Sequence, residues 1–444
     1  MRANGANSDP ASDRWARVEA RLNDLVDWER RSRRRAARFT LEPVQDLLER
    51  LGAPSSATPF VHVAGSKGKG SVAALVARAW AGAGYRVGRY GSPHVEHLTE
   101  RVEIAGRPID LGTLAEALEE VLDRLAEAQE SASPAADATW FDALTAGAWV
   151  AFERAGCERL VVECGLGGRL DSTNARDGRI AVITNIELEH CEVLGTTREA
   201  IAGEKVGIAV DGGVLVTGVP EFDLSGELDP AGERIAARVR ELDGRLVRPP
   251  GFEMAAEVAQ LSIGERNRRL AATVLDELGR VGEVDRDGRP IGSELLTPAR
   301  IAAATLPGRL ERFDGPVPVV LDGAHVPESV ASVLADLRGQ TGLEGPPTAI
   351  LALGRDKDLD GMLKALAPAV DTVLCTSVGT ELFRSPQEIA AVAESLGLAA
   401  ETAVTPRAAF DRALELSAGG GWVLAIGSLY LAGELRPFCW TPRC

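Results

Sequence analysis

The sequence predicts an α/β protein in two domains, each built on a largely parallel sheet covered by helices. Short β-branched runs alternate with amphipathic stretches of helical period, which is the pattern of strands joined by crossover helices. The chain has 444 residues, of which 45% are hydrophobic, and single cores stop growing at roughly 250 to 300 residues. No repeat of about 20 to 50 residues is visible, which argues against a solenoid.

The predicted elements follow this alternation along the chain. Strands of the first domain are "PFVHVAG", "ERLVVEC", "IAVITNIE" and "GVLVTG". A polar region with Pro and Gly follows to about Pro250, and a helix is predicted near Arg266 to Leu278. A second series of strands, "PPTAILALG", "VDTVLCTSV" and "GWVLAIGS", alternates with helices predicted to start near Pro327, Leu359, Pro386 and Arg407. We therefore expect a disordered tail over residues 1–14, a larger domain over 15–302 and a smaller Rossmann-like domain over 303–444.

The composition excludes several classes of protein. Lys and Arg total 49 against 65 Asp and Glu, for a net charge of −16, so a general surface for nucleic acid or anionic lipid is not expected. The six cysteines show neither CxxC pairs nor zinc-ligand spacing, which favours a reduced protein. No signal peptide is visible, and no apolar run approaches the roughly 20 residues of a membrane helix. We expect a cytoplasmic protein without nucleic-acid or membrane partners.

The stretch "VHVAGSKGKGS", which begins at Val61, combines a predicted strand, a glycine loop and the start of a helix. Backbone N–H groups of such a loop, the positive end of the helix and a lysine side chain together suit phosphate oxygens. The predicted phosphate-binding residues are Gly65, Ser66, Lys67, Gly68, Lys69, Gly70 and Ser71. Lys69 is expected to reach the outer phosphates. Because Gly70 separates Lys69 from Ser71, the spacing differs from the common GxxxxGK[ST], and a plain glycine-rich turn remains the alternative.

Motifs in one order along roughly four-fifths of the chain resemble the folylpolyglutamate synthase and dihydrofolate synthase branch of the Mur ligase superfamily. The motifs of the first domain are "FTLEPVQDLLERLG", "VHVAGSKGKGS", "AGYRVGRYGSPHVEHLTERVEIAGRPI", "FDALTAGAWVAFERAGCERLVVECGLGGRLDSTNA" and "AVITNIELEHCEVLGTTREAIAGEKVGI". Those of the second are "LPGRLE", "LDGAHVPES", "ALGRDKD" and "AIGSLY". The resemblance implies a P-loop ATPase domain with a parallel sheet, followed by the smaller Rossmann-like ligase domain.

The resemblance also implies an ATP-dependent amide ligase of folate biosynthesis and one-carbon metabolism. Such an enzyme phosphorylates a substrate carboxylate, and the amino group of L-glutamate then displaces phosphate from the acyl phosphate. The implied small-molecule substrates are ATP, L-glutamate and either dihydropteroate or a reduced folate, and the expected state is a monomer. A Mur-like ligase for another carboxylate and amine and a nucleotide-binding relative without activity remain open at this point.

Phosphoryl transfer depends on positioning and on charge neutralisation, and the resemblance implies magnesium, with two ions expected. Ser92 in "GSPH", Glu163 in "VVECGLGG" and His190 in "LEHCEVLG" match metal-binding positions of the family. Magnesium prefers oxygen ligands and keeps several waters, so the imidazole is assigned by resemblance alone. Taken singly, Glu163 could be a strand-end carboxylate and His190 a hydrogen-bonded loop residue.

Four further positions are assigned by the resemblance. Lys205 in "GEKVGI" matches a lysine that many members carry as a carbamate, with a surface lysine at a helix end as the alternative. Arg309 in "LPGRLE" matches an arginine that reaches nucleotide phosphates, with an ion pair to Glu311 as the alternative. Asp322 and His325 in "LDGAH" match residues that approach the nucleotide from the second domain, and Asp322 could otherwise cap a helix. The implied catalytic residues are Lys69, His190, Lys205 and Arg309.

The roles of two stretches are left open. "LSIGERNRRL" lacks the usual His-Gln and the Asn-Ala helix, so which of Arg266, Asn267 and Arg269 approaches the nucleotide is left open. The run "ERRSRRRAARF" from Glu29 to Phe39 holds six arginines. This run predicts either a solvated helix face or a contact for an anionic polyglutamate tail.

Overall fold

The computed structural model describes residues 10–27, 40–379 and 381–439. The chain divides into two compact units. Unit 1 comprises residues 1–94, 98–261 and 265–304, and unit 2 comprises residues 95–97, 262–264 and 305–444. The main boundary follows Ala304, two residues after the predicted position, and the short stretches 95–97 and 262–264 were not predicted. The arginine run from Glu29 to Phe39 lies outside the described residues.

The predicted disordered tail over residues 1–14 is wrong in its last part. Helix α1 (Pro10–Asn23) begins at Pro10, a residue that suits the first turn because its missing N–H would have no partner there. Val18 and Leu22 of this helix, four residues apart, are buried in the core of unit 1. Their burial explains why the segment is ordered.

Unit 1 is built on an eight-stranded sheet with the strand order β4-β3-β2-β5-β1-β6-β7-β8. Its strands are β1 (Phe60–Ala64), β2 (Val87–Tyr90), β3 (Val102–Ile104), β4 (Arg107–Pro108), β5 (Arg159–Glu163), β6 (Ile180–Ile183), β7 (Val214–Thr217) and β8 (Arg245–Val247). The strands β2, β5, β1, β6, β7 and β8 run parallel to one another, whereas β3 and β4 run antiparallel to their neighbours. Every residue of β1 is buried, as expected for a central strand covered on both faces.

Helices cover this sheet and supply the remaining core. They are α1, α2 (Glu42–Arg50), α3 (Lys69–Gly82), α4 (Leu111–Ser131), α5 (Trp140–Arg154), α6 (Cys191–Leu194), α7 (Arg198–Lys205), α8 (Pro230–Glu241), α9 (Ala255–Ala259), α10 (Ile263–Arg280), whose first two residues belong to unit 2, and α11 (Pro298–Ala303). One apolar cluster packs α1, α2, α4 and α5 onto the sheet, and another packs α7 and α8. Within the described ranges, no helix combines the length and apolar composition that crossing a bilayer requires.

Unit 2 is built on a six-stranded sheet with the order β13-β12-β11-β14-β10-β9. The strands are β9 (Glu311–Phe313), β10 (Val319–Leu321), β11 (Thr348–Leu351), β12 (Thr372–Cys375), β13 (Ala399–Thr402) and β14 (Val423–Ile426). All neighbours are parallel except β9, which runs antiparallel to β10. The covering helices are α12 (Pro327–Leu337), α13 (Leu359–Leu366), α14 (Pro386–Ser395), α15 (Pro406–Ser417) and α16 (Leu429–Cys439).

The quoted strand segments are all strands in the structure, where they form β1, β5, β6, β7, β11, β12 and β14. Helices α12, α13 and α14 begin at the predicted residues, and α15 begins one residue before Arg407. The polar region before Pro250 contains α8 and β8, which were not predicted. Helix α10 is longer than the predicted helix at both ends.

Candidate functional site

The predicted phosphate-binding loop lies at the carboxyl end of the sheet of unit 1. Strands β2, β5, β1 and β6 are parallel neighbours in that order. The loop after β1 is therefore flanked by the residues that follow β5 and β6. Ligands of open α/β sheets bind at this edge.

Two glycines determine the shape of the loop. Gly65 has φ of +140° and Gly68 has φ of +78°, conformations that residues with a Cβ rarely adopt. A Cβ on Gly65 would lie 1.9 Å from Thr184 Oγ1, and a Cβ on Gly68 would lie 2.5 Å from Asn267 Oδ1. The loop therefore packs directly against these two side chains.

The segment after β6 holds part of the loop backbone. Ser66 N donates to the carbonyl of Asn185 at 3.0 Å, and Lys67 N donates to Asn185 Oδ1 at 2.7 Å. Thr184 Oγ1 donates to the carbonyl of Lys67 at 2.5 Å. Gly68 precedes α3 and offers no side-chain cap, so the N–H groups of the first turn of α3 remain for a ligand. The backbone N–H groups of Ser66 and Lys67 thus shape the loop, and the predicted phosphate binding by these two residues stays a prediction.

Two lysine side chains converge on one carbonyl of this loop. Lys69 Nζ donates to Gly65 O at 3.0 Å, and Lys205 Nζ donates to the same oxygen at 3.0 Å. Lys205 lies at the end of helix α7, as the alternative of a surface lysine at a helix end predicted, but the residue is only 2% exposed. The alternative of a surface lysine is therefore wrong, and Lys205 lies beneath the glycine loop.

Glu189 pairs with the buried lysine. Lys205 Nζ lies 2.9 Å from Glu189 Oε1. Burial alone would raise the pKa of Glu189, but the charges of Lys205 and Lys69 outweigh it and lower that pKa to about 2. Burial and the charge of Lys69 lower the pKa of Lys205, and Glu189 offsets part of this effect. The sequence did not predict a role for Glu189.

Two of the three predicted metal-binding residues lie side by side. Glu163 ends β5 and is buried, and Ser92 N, just after β2, donates to Glu163 Oε2 at 3.4 Å. His190 lies on the loop after β6, with φ of +48°, and caps the short α6. In the described part of the chain, no three His, Cys, Asp or Glu side chains form a metal-binding group. A single buried carboxylate fits magnesium, which often takes one or two carboxylates and completes its shell with waters and phosphate oxygens.

The structure shows which of the three candidate residues of α10 lies at the glycine loop. Asn267 is 8% exposed and its side chain lies against Gly68. Arg266 Nε instead donates to the carbonyl of Leu261, and Arg269 donates to Glu265. Asn267 is therefore the residue of this helix that faces the glycine loop.

In unit 2, Asp322 organises the turn after β10. Its Oδ1 accepts from Ala324 N at 2.8 Å, and its Oδ2 accepts from Leu310 N at 2.7 Å. The residue that precedes α12 as its N-cap is Val326. Asp322 is therefore not a helix cap, and its carboxylate joins the "LPGRL" and "LDGA" segments.

His325 and Arg309 lie on the two segments that Asp322 joins. His325 Nδ1 donates to the carbonyl of Gly323 at 2.9 Å, so Nδ1 carries a proton. A Cβ on Gly323 would lie 2.8 Å from Arg309 Nη1, which places the guanidinium beside this turn. Glu311 pairs with Arg436 at 3.0 Å. The ion pair proposed as the alternative role of Arg309 is thus made by another arginine.

Comparison with known proteins identifies the family. A family model described as the Mur ligase, glutamate ligase domain matches residues 308–429. A probable bifunctional folylpolyglutamate synthase/dihydropteroate synthase of Haloferax volcanii is 34% identical over 419 residues, which cover 91% of this chain and 49% of that protein. The chain thus spans about half the length of this curated relative. The dihydrofolate synthase/folylpolyglutamate synthase of Mycobacterium tuberculosis is 32% identical over 370 residues, which cover 77% of this chain and 74% of the relative.

The chain belongs to the folylpolyglutamate synthase/dihydrofolate synthase family. This is a family of ATP-dependent ligases, as the resemblance implied. A solved structure of Mycobacterium tuberculosis folylpolyglutamate synthase complexed with ADP has a TM-score of 0.80 and 27% identity, and covers 98% of this chain and 100% of that chain. A bifunctional folylpolyglutamate synthase/dihydrofolate synthase with Mn, AMPPNP and L-glutamate bound has a TM-score of 0.78 and 25% identity, and covers 97% of this chain and 99% of that chain. The predicted family and fold class are confirmed.

Proposed function

We propose that this chain is an ATP-dependent ligase that joins L-glutamate to the carboxylate of a folate-type substrate, dihydropteroate or a reduced folate, through an acyl phosphate. The observation that carries the proposal is the convergence of Lys69 and Lys205 on the glycine loop after β1. This loop lies next to the strand that ends in Glu163. The cation of Lys69, backbone donors and a buried carboxylate at one sheet edge are the equipment of phosphoryl transfer.

In this proposal the glycine loop from Gly65 to Ser71 binds the nucleotide phosphates. Asn185 holds the first half of the loop in place, so the N–H groups at the start of α3 are preorganised for phosphate oxygens. Lys69 neutralises charge on the transferred phosphoryl group. Asn267 contributes a neutral hydrogen-bonding group beside Gly68, which suits a nucleotide oxygen.

Ser92, Glu163 and His190 would hold magnesium near the transferred phosphoryl group. Bound magnesium supplies Lewis-acid stabilisation of the charge on phosphate oxygens. Glu163 contributes the negative charge of this set, and Ser92 fixes its orientation by donating a backbone hydrogen bond to it. The relative that holds Mn and AMPPNP supports a divalent ion with the nucleotide. The proposal includes a second ion.

We also assign a carbamate to Lys205. The ammonium first loses one proton to solvent; the neutral amine then attacks the carbon of carbon dioxide, an N–C bond forms as one C–O π bond opens, and a second proton leaves to solvent. Burial and the nearby charge of Lys69 lower the pKa of Lys205, which raises the neutral fraction that this reaction needs. The ion pair with Glu189 opposes the reaction because it stabilises the ammonium form. We therefore propose an exchange in which carbon dioxide converts the Lys205 ammonium that pairs with Glu189 into a carbamate that helps to hold the second ion.

From unit 2, the proposal assigns Arg309 to the nucleotide phosphates, and Asp322 and His325 to the nucleotide. Asp322 acts by fixing the turn, since both its oxygens accept backbone N–H groups. The match to a glutamate ligase domain over residues 308–429 supports L-glutamate as the amine substrate. The relative with L-glutamate bound supports it as well.

The proposed setting is a monomer in the cytoplasm. The cysteines in the described ranges, Cys157, Cys164, Cys191, Cys375 and Cys439, are free thiols, which agrees with a reducing compartment. Light scattering of the purified chain would check the monomer, whose mass is 46.9 kDa.

Phosphate release from the purified protein tests the function directly. ATP, magnesium and L-glutamate are supplied with dihydropteroate in one assay and with tetrahydrofolate in another. We expect release that requires both L-glutamate and at least one of the two acceptors, and that Lys69→Ala abolishes. Silence with both acceptors from a folded protein that binds ATP would refute the folate assignment and favour a ligase for another carboxylate.

A further inference from the structure

A buried arginine that the proposed mechanism does not use lies on the strand next to Glu163. Arg89 belongs to β2 and is 7% exposed. It pairs in register with Val161, two residues before Glu163 on β5. Since side chains alternate along a strand, Arg89 and Glu163 project from the same face of the sheet.

Arg89 is clamped by a carboxylate of β3. Its Nε and Nη2 donate to Glu103 Oε2 at 3.2 Å and 2.9 Å. The other oxygen of Glu103 pairs with Arg78 Nη2 at 3.1 Å. Among the described residues, Arg89 Nη1 has no hydrogen-bond partner. This atom is nevertheless not completely buried. Nη1 is therefore an incompletely buried donor on a guanidinium that Glu103 holds in place.

Gly91 separates this donor from Glu163. A Cβ on Gly91 would lie 2.9 Å from Arg89 Nη1 and 3.0 Å from Glu163 Oε2. The two charged atoms are thus within about 6 Å of each other, a distance at which opposite charges influence one another strongly. No ion pair joins these two described residues. Because Gly91 has no side chain, no carbon atom of its own separates the two charged groups.

We propose that Arg89 is a further substrate-binding residue, whose Nη1 donates a hydrogen bond to the acceptor carboxylate that receives glutamate. The inference rests on the proposed function. Glu163 would repel a second carboxylate at this edge of the sheet, and Arg89 offsets that repulsion with a charge-assisted hydrogen bond. The bond costs little ordering of the side chain, because Glu103 already holds the guanidinium in place.

Two matched arginine variants test this assignment. Arg89→Met and Arg78→Met each remove one guanidinium from Glu103 and leave it the other, so both keep the carboxylate paired. Binding of tetrahydrofolate and of dihydropteroate is measured calorimetrically with a non-hydrolysable ATP analogue and magnesium present, and kcat and KM are measured for each substrate. We expect Arg89→Met to weaken acceptor binding about 10- to 100-fold, which is the effect of losing one charged hydrogen bond. Its KM for ATP and the acceptor affinity of Arg78→Met should stay within about two-fold of wild type.

A third variant tests the position between Arg89 and Glu163 without removing either charge. Gly91→Ala places a methyl group between Arg89 and Glu163, and we expect it to weaken acceptor binding about tenfold or more. The variants Gly91→Ala and Arg89→Lys keep the proposal testable if Arg89→Met does not fold. Arg89→Lys retains the charge and should bind the acceptor more tightly than Gly91→Ala does. Acceptor affinities of Arg89→Met and Gly91→Ala equal to that of Arg78→Met would overturn this inference alone. A wild-type protein that neither binds nor glutamylates an acceptor would overturn the proposed function and this inference with it.

Discussion

Replacing Glu189 by Gln perturbs the buried ion pair beneath the glycine loop. Gln keeps the shape of the side chain but leaves the ammonium of Lys205, which is 2% exposed, without its charged partner. The pKa of Glu189 is about 2 instead of 4.5, which corresponds to about 3 kcal/mol of stabilisation at neutral pH. Removal of one partner from a buried ion pair costs roughly 3 to 5 kcal/mol. We therefore expect Glu189→Gln to lose about 3 kcal/mol of the free energy of unfolding.

Denaturant unfolding in buffer freed of carbon dioxide measures this loss. Glu204→Gln is the matched control, because Glu204 lies on the same helix as Lys205 and pairs with Arg169 at 2.9 Å on the surface. An exposed pair of this kind contributes roughly 0 to 1 kcal/mol. In bicarbonate buffer the loss in Glu189→Gln should shrink, since a carbamate on Lys205 needs no carboxylate partner. Equal stability of Glu189→Gln and Glu204→Gln without carbon dioxide would refute the ion pair.

The same pair predicts a pH dependence with a definite sign. The pKa of Glu189 in the folded protein lies below its value in the unfolded chain, so the stabilisation is present above about pH 4.5 and is lost as the pH falls toward about 2. Unfolding curves of Glu189→Gln should therefore lack this part of the acid dependence. Parallel acid profiles for Glu189→Gln and wild type would contradict the assignment.

Three further predictions concern the site. Lys69→Ala should lower kcat/KM more than about 100-fold, because it removes charge from the transferred phosphoryl group; steady-state phosphate release checks this, and a fall of only a few-fold would contradict the phosphate-loop assignment. Glu163→Gln should raise the magnesium concentration for half-maximal activity by about tenfold or more with little change in Tm, whereas a collapse of Tm would make Glu163 structural. Asn267→Ala should raise the KM for ATP by about 3- to 10-fold and leave the acceptor KM unchanged, as one lost hydrogen bond implies; equal effects on both substrates would argue against a nucleotide contact.

The sequence predicts those parts of the fold in which one local pattern determines the structure. The short and largely apolar runs of β1 and β11 are typical of strands buried on both faces, and both are strands. The edge strand β4 has only two residues, both exposed, and no hydrophobic pattern distinguishes it from a loop. Helix α1 did carry a signal, because Pro10 at its start and the spacing of Val18 and Leu22 are helical features.

The site is predictable only where its residues are local in sequence. Gly65 and Lys69 lie within five residues and indicate phosphate by themselves. Asn185 lies 118 residues from Lys67, and its contact with the loop depends on the register of β1 beside β6. Glu189 and Asn267 likewise acquire their roles from tertiary packing. No local pattern predicts such contacts, which is why Asn185 and Glu189 were not predicted and Asn267 stayed one of three candidates.

The two ammonium groups that share the carbonyl of Gly65 affect how readily the protein is degraded in a cell. When Lys205 is an ammonium group, burial and the repulsion from Lys69 together lower its pKa. An anion that binds the loop relieves the repulsion, so polyphosphates should protect the chain from unfolding by more than their contacts alone provide. Because proteases degrade transiently opened chains, molecules with an empty loop should be the first to be degraded. The abundance of the protein would then follow the supply of nucleotide.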